Sequence, residues 1–243
     1  MLTPFLSLII PAHNEEQRLP GALQAMAAFL KEQTYSYEVL VVENGSSDRT
    51  CEVARSYEPT MPYLKILKEE GRGKGLAVKR GMLEATGEYR FYCDVDFSMP
   101  VSEVNRFIPP TLPNLDIAIA SREARGAMRY DEPGYRHLMG RVFNAMVRWM
   151  ALPGLQDTQC GFKCFRAAVA EEIFARQTMN GMSFDVEVLF IARRWGYRIV
   201  EVPIPWYYNS KSQVRVVEDS WNMFLSLIDM RRRARQGLYD RPV

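Results

Sequence analysis

Cysteine and histidine are scarce, with four and two residues in a chain of 243. Four thiols cannot staple a fold of this length, and Cys160 and Cys164 stand four apart, not at the spacing of a CxxC pair. Two histidines leave no usual ligand set for a structural zinc, so free thiols packed in a protein of a reducing compartment are the expectation. Long apolar runs are missing as well. Nothing reaches the ~18 consecutive apolar residues of a membrane span, and the run at residues 5–10 is too short and lacks the basic flank of a secretory leader. Charge of one sign is also absent. Thirty-one Lys and Arg face 29 Asp and Glu, a formal +2 that excludes a global field for nucleic acid. There is no internal repeat and no low-complexity linker. What is present is 47% hydrophobic and 25% charged, the balance of a globular protein. A chain this long can bury ~70–75% of its unfolded surface in one core.

Over the first 120 residues apolar runs alternate with amphipathic stretches. Residues 6–10, 39–42, 64–67, 89–93 and 117–120 read as buried strands. Residues 15–32, 48–57 and 74–85 read as helices, the first with Leu19, Leu23, Met26 and Leu30 on one face. This alternation predicts an α/β fold, a mostly parallel sheet covered by helices on both faces. Ligands of such sheets bind beyond the carboxyl ends of the strands. The polar motifs sit there: His13-Asn14-Glu15, Glu43-Asn44-Gly45-Ser46-Ser47-Asp48 and Asp94-Val95-Asp96 each follow an apolar run. Beyond residue 121 the chain turns basic, with six arginines against three acids up to residue 149. A helix over 135–150 places Leu138, Val142, Ala145 and Trp149 on one side, and a loop over 153–161 leads to helices at 167–175 and 184–195 and a strand at 197–202. A final helix over 219–235 carries Trp221, Phe224, Leu225 and Ile228 and ends in Arg231-Arg232-Arg233-Ala234-Arg235.

Three motifs carry chemistry. Asp94 and Asp96 are two apart at a strand exit, where both can face one hard divalent cation that also holds phosphate oxygens; a solvated acidic turn accounts equally for the pair alone. Gly71-Arg72-Gly73-Lys74-Gly75 offers amide N–H groups and a cation to a diphosphate, yet matches neither a Walker loop nor GxGxxG; a surface loop is the plainer alternative. Asn44-Gly45-Ser46-Ser47-Asp48 is a turn whose Asp48 or serines can cap the next helix, while Glu43 is placed to accept from a base or ribose.

In this order, with Ile9-Ile10-Pro11-Ala12-His13-Asn14-Glu15-Glu16 ahead of them, the motifs resemble family 2 glycosyltransferases of the GT-A (Rossmann-like) fold. Ser121-Arg122, Asp157-Thr158-Gln159-Cys160-Gly161-Phe162-Lys163, Phe184-Asp185-Val186-Glu187 and Glu201-Val202-Pro203-Ile204 extend the resemblance to the dolichyl-phosphate glucosyltransferase branch, near the polyprenyl-phosphate mannosyltransferases. The resemblance implies a domain over 1–217, with a nucleotide-sugar half (1–120) and an acceptor half (121–217), followed by an amphipathic, basic helix over 218–243. It implies that Pro11, His13, Glu15, Val41 and Glu43 hold the nucleoside, that Lys74, Asp94, Val95 and Asp96 hold the rest of the donor, and that Asp94 and Asp96 hold Mg2+ or Mn2+. Asp157 is the implied catalytic carboxylate, beside Arg122. Arg122, Lys211 and Arg215 are candidate ligands of an acceptor phosphate. Two departures stand out, Glu43-Asn44 in place of Asp-Asp and Phe97-Ser98 after the acidic pair. The expected activity is metal-dependent, inverting transfer of a hexose, glucose from UDP-glucose first, to a polyprenyl or dolichyl phosphate. Alternatives are a GDP-mannose donor, a non-lipid hydroxyl acceptor or, from another class, a nucleotidyltransferase; a non-catalytic nucleotide-sugar module is a further one. Expected partners are the nucleotide sugar, the lipid phosphate and a membrane surface, but no nucleic acid, with the protein peripheral to the cytoplasmic membrane face. The structural alternative for Asp185 and Glu187 is charge at a helix N-terminus, and for Cys160 and Cys164 core packing.

Overall fold

The computed structural model describes residues 3–96, 98–209 and 216–241. The strands are β1 (Leu6–Ala12), β2 (Tyr37–Asn44), β3 (Leu64–Glu69), β4 (Tyr89–Cys93), β5 (Ile117–Ser121), β6 (Met128–Tyr130), β7 (Phe162–Arg166), β8 (Ile199–Pro203) and β9 (Pro205–Tyr207). Seven of them form one sheet in the order β3-β2-β1-β4-β7-β5-β8, and β6 pairs with β9 in a separate parallel ribbon. Because β1 and β4 are buried on both faces, their sequences are mostly apolar where a half-exposed strand would alternate, and Ser7 and Arg90 are the polar exceptions, both buried. Consecutive residues of β1 nonetheless serve different layers. Leu8 and Ile10 pack with helix α1 (Leu19–Lys31), whereas Ile9 packs beneath α3 (Lys74–Glu84), α5 (Ala167–Arg176) and α6 (Phe184–Arg194).

Two boundaries differ from the sequence expectation, both for local reasons. Helix α1 begins at Leu19, with Pro20 in its first turn, and leaves Glu15 in the preceding turn. Helix α2 (Thr50–Ser56) begins after Asp48, whose Oδ1 accepts the Thr50 N–H at 3.0 Å. The strand β7 is the larger surprise. Residues 162–166 show no apolar run because Lys163 interrupts it, yet this lysine is fully buried. β7 runs antiparallel to both β4 and β5, pairing Cys93 with Phe162. Its amino end therefore lies at the sheet edge where the parallel strands have their carboxyl ends, and the 157–161 loop is delivered to Asp94.

Helix α4 (Gly134–Met150) buries Phe143 and Val147 and leaves Tyr135, Leu138, Val142 and Trp149 exposed. Helix α7 (Val216–Arg235) does the same, burying Met223, Leu227 and Met230 and exposing Trp221, Leu225 and Ile228. The two helices touch. The apolar stripes legible in the sequence are thus largely the outward faces, and the core is served by other residues. Among the described residues no helix is long and apolar enough to cross a membrane.

Candidate active site

Three turns close over the carboxyl edge of the sheet and frame a cavity of about 400 Å³ lined by Pro11, His13, Glu15, Arg18, Asn44, Arg72, Gly73, Lys74, Asp94, Val95 and Asp96 among others. The turn after β1 is docked on the turn after β2: His13 Nδ1 donates to the Asn44 carbonyl at 2.7 Å, and Asn14, in the left-handed region at φ 55°, accepts from the Ser47 N–H at 2.8 Å. Asn44 in turn ties down the Gly-rich segment. Its Oδ1 accepts from the Gly73 N–H at 3.1 Å while its Nδ2 donates to the Gly71 carbonyl. An Asp there would accept twice and donate nothing, so Asn44 suits this loop as the family's usual Asp would not. Glu15 pairs with Arg18, and burial raises its carboxyl despite that partner.

Asp94, Asp96 and Lys74 meet on one wall. Lys74 Nζ lies 2.5 Å from Asp94 Oδ1; burial alone would lower its pKa, but Asp94, Asp185 and Asp96 outweigh that and hold the ammonium well above its ordinary value. Asp94 N–H donates to the Gly161 carbonyl at 3.0 Å, and a Cβ on Gly161 would collide with the Asp94 carboxylate. The loop carrying Asp157 is therefore packed directly against the acidic pair. Asp96 Oδ1 accepts from the Ser98 N–H at 3.1 Å. Two carboxylates on an open cavity fit a hard divalent cation that draws its other ligands from phosphate oxygens and water. No third metal-ligating side chain joins them among the described residues.

A second cavity, of about 210 Å³, shares Asp96 and Met182 with the first. Arg122, Arg129 and Arg136 line it together with Asn144, Gln159, Asp185, Trp206 and Tyr208. Two guanidinium groups lie over the Trp206 ring, that of Arg122 at 5.5 Å and that of Arg129 at 5.7 Å from its centre. Arg129 is ion-paired with Glu123 and Glu132, whereas Arg136 donates to the Tyr208 hydroxyl at 2.8 Å and makes no ion pair among the described residues.

Asp157 lies behind this wall. Fully buried, it receives Arg122 Nε at 2.6 Å, Arg122 Nη2 at 3.0 Å, the Arg122 N–H at 3.0 Å and the Gln159 N–H at 3.2 Å. Burial pushes its carboxyl up, but the Arg122 charge and these hydrogen bonds prevail and hold it at about 2. A carboxylate so engaged orients Arg122 and is poorly suited to take a proton.

Pro11, His13, Glu15, Lys74, Asp94, Val95 and Asp96 thus converge on one cavity, and Arg122 on its neighbour. Val41 and Glu43 do not. Val41 is fully buried in the layer beneath α1, since strand alternation turns it from the edge into the core. Glu43 is 3% exposed and accepts from the Ser46 N–H within its own turn, so it shapes the turn rather than facing the cavity. Lys211 and Arg215 lie outside the described residues. Asp185 and Glu187 do stand in the first turn of α6, and both are buried there: Asp185 lies against Lys163 Nζ and the Tyr92 hydroxyl, and Glu187 accepts from the 178–179 main chain. Cys160 and Cys164 are core thiols, the former pushed up to about 12 by burial. Arg18, Asn44, Arg129 and Arg136 join the lining without having been singled out for it; the arginine-rich composition of residues 121–149 is the only signal for Arg129 and Arg136.

Residues 7–174 match the family model for glycosyl transferase family 2. The dolichyl-phosphate beta-glucosyltransferase of Dictyostelium discoideum is 31% identical across 97% of this chain and 76% of its own length. The Homo sapiens protein of that name is 30% identical across 84% of this chain and 68% of its own. Among solved structures, glucosyl-3-phosphoglycerate synthase from Mycobacterium tuberculosis in complex with UDP matches with a TM-score of 0.66 at 17% identity, covering 99% of this chain and 82% of that one. Mannosyl-3-phosphoglycerate synthase from Rubrobacter xylanophilus matches with a TM-score of 0.69 at 17% identity, covering 96% and 75%. These likenesses carry the fold, the GT-A arrangement of a mostly parallel sheet with flanking helices. With the family model spanning most of the sheet and a relative above 30% identity along nearly the whole chain, the protein belongs to glycosyl transferase family 2 and is a glycosyltransferase.

Proposed function

We propose that the chain transfers glucose from UDP-glucose to a polyprenyl or dolichyl phosphate, with inversion at the anomeric carbon. The observation that carries this reading is the junction of two cavities at Asp96, one lined by Lys74, Gly73 and Asp94 and the other walled by three arginines. A neutral hydroxyl acceptor needs no such wall; an anionic one must be held against a second anion. The names of the relatives support the lipid phosphate and the glucose.

Pro11, His13, Glu15 and the turn after β2 take the nucleoside side of the donor cavity, and Lys74 with the Gly73 main chain takes the diphosphate. Arg122, Arg129 and Arg136 take the acceptor phosphate from the opposite side, with Lys211 and Arg215 as further candidates. One acceptor oxygen, already ionised at neutral pH, forms the bond to the anomeric carbon as the bond to the diphosphate breaks. No proton moves, which agrees with an Asp157 held at about 2 as the positioner of Arg122. Asp94 and Asp96 would hold Mg2+ or Mn2+, which supplies electrostatic stabilisation to the departing UDP. Residues 1–120 form the donor half and 121–217 the acceptor half of this reading, and the segment over 218–243 serves the membrane. The exposed stripes of α4 and α7, flanked by Arg141, Arg148, Arg231 and Arg232, suit peripheral docking on an anionic bilayer where the acceptor resides.

The test is nucleotide release by the whole chain given UDP-glucose or GDP-mannose, with and without polyprenyl phosphate and with and without a chelator. Acceptor-dependent UDP release that chelation abolishes is expected. Preferential GDP release would move the donor to GDP-mannose, and pyrophosphate release would move the protein to another class.

A further inference from the structure

Tyr239 stands beyond the last helix, near the end of the chain, and is nevertheless fully buried. Its hydroxyl donates to Glu187 Oε1 at 2.6 Å, its carbonyl accepts from Trp195 Nε1 at 2.8 Å, and the neighbouring Asp240 pairs with Arg194. Glu187, on α6, is itself fully buried and pairs with no cation among the described residues. Its oxygens accept instead from the Thr178 N–H at 3.1 Å, the Met179 N–H at 2.8 Å and the Thr178 hydroxyl at 2.5 Å. The carboxylate thus pins the loop between α5 and α6.

That loop is also the support of the Gly-rich segment. Gln177 Nε2 donates to the carbonyls of Gly75 and Met179, both at 2.8 Å, Lys79 Nζ donates to the Gln177 carbonyl at 2.8 Å, and the Leu76 N–H reaches the Asn180 carbonyl at 3.2 Å. The contact has no slack: a Cβ on Gly73 would run into the Asn180 carbonyl, and one on Gly75 would stand 2.7 Å from the Met179 carbonyl. Gly73 needs its freedom twice over, because its φ of 127° also suits only glycine. Lys74, between these two glycines, is the residue whose ammonium faces Asp94.

We propose that Tyr239 and Glu187 are positioning residues for the donor site: the C-terminal turn, acting through Glu187, sets the loop against which Gly73–Gly75 and Lys74 are seated. This rests on the reading of the first cavity as a nucleoside-diphosphate site. Neither side chain touches the donor. A burial-only role for Tyr239 would need its ring alone, and the ring does pack against Phe190; the positioning role needs the hydroxyl.

Tyr239→Phe separates the two, because it keeps the ring and removes one oxygen. UDP binding in Mn2+ is measured by calorimetry on the whole chain, with amide exchange followed at Thr178, Met179 and Leu76. The expected result is a UDP Kd raised about tenfold, equivalent to about 1.4 kcal/mol. KM for UDP-glucose rises by a similar factor with kcat within about twofold, since the Lys74 contact weakens in ground and transition states alike. The three amides exchange faster. Leu30→Ala, in the opposite layer and far from the loop, is the control: it lowers stability and leaves UDP affinity unchanged, with any faster exchange spread over the chain and not confined to these three amides. Thr178→Val cuts the same network from the loop side and carries the test if Tyr239→Phe does not fold. Unchanged UDP affinity and protection in the variant, or equal weakening by Leu30→Ala, overturns the proposal while leaving the donor cavity standing. A wild-type chain that does not bind UDP overturns both.

Discussion

Asp157 and Gly161 lie four residues apart and act on the two halves of the site from one loop. For Asp157 the ion pair with Arg122 is the deciding feature, because one partner is fully buried and the other is still accessible from the acceptor cavity. Asp157→Asn is expected to cost about 3 kcal/mol at neutral pH, since it strands a guanidinium beside a neutral amide. The sign of the pH dependence follows from the lowered pKa. The carboxylate contributes its full stability above the unfolded value of about 4 and loses it as the pH falls toward about 2. The stability gap between wild type and Asp157→Asn should therefore close over that window in chemical denaturation. In kinetics the variant should lower kcat without deleting a limb of the pH–rate profile; a lost acidic limb would make Asp157 a base after all. Gly161→Ala tests the other half. The added methyl has nowhere to go but the Asp94 carboxylate, so Mn2+-dependent UDP binding should weaken by about tenfold or more, about 1.4 kcal/mol. Unchanged Mn2+ dependence would separate the loop from the acidic pair. The meeting of Lys74, Asp94 and Asp96 on one cavity wall is legible in the residues themselves, because each follows a strand or opens a helix. Val41 and Glu43, expected at the nucleoside, do not line the cavity, because which side of a strand faces the edge depends on a pleat and a turn that linear order does not display. The hold of Asn44 on the Gly-rich segment is not legible in the sequence, because its partners, Gly71 and Gly73, are remote along the chain.

At the scale of elements, hydrophobic periodicity locates the helices well and groups their apolar residues, without saying which face the core covers. In α4 the residues that stand in register, Leu138, Val142 and Trp149, are exposed, while Phe143 and Val147 fill the core. Periodicity reports that a face is apolar and not what covers it. The exposed stripe is the feature that sets this chain apart from an ordinary soluble domain, whose large apolar side chains seldom line up on one outward face. The double variant Leu138→Glu and Val142→Glu should preserve thermal stability within about 1 kcal/mol, since neither side chain is in the core. It should also abolish co-sedimentation with vesicles containing anionic lipid. Equal pelleting of variant and wild type would assign the stripe to something other than a bilayer. The strand β7 escaped notice for the opposite reason. A buried lysine broke its apolar pattern, and only the three-dimensional partners Asp185 and the Cys160 carbonyl explain why a charge is tolerated there.

At the scale of the whole molecule, the fold places two sites at one edge of a sheet and joins them through a single antiparallel strand. The parallel strands bring the donor motifs to their carboxyl ends, as strand–helix alternation implies. β7 reverses direction, so that the loop entering it, rather than a loop leaving it, meets Asp94 and carries Arg122's partner. The helix layer over α3, α5 and α6 supports the first cavity from below, and α4 and α7 present apolar residues outward beside the second. The central claim is that a glucosyl group crosses from one cavity to the other onto a lipid phosphate. Its most direct test is to incubate the whole chain with radiolabelled UDP-glucose, Mg2+ and polyprenyl phosphate and then extract with organic solvent. Label in the organic phase, lost on chelation and in Asp94→Asn, is the expected result. UDP release with all label left in the aqueous phase would contradict it, placing the acceptor among water-soluble compounds.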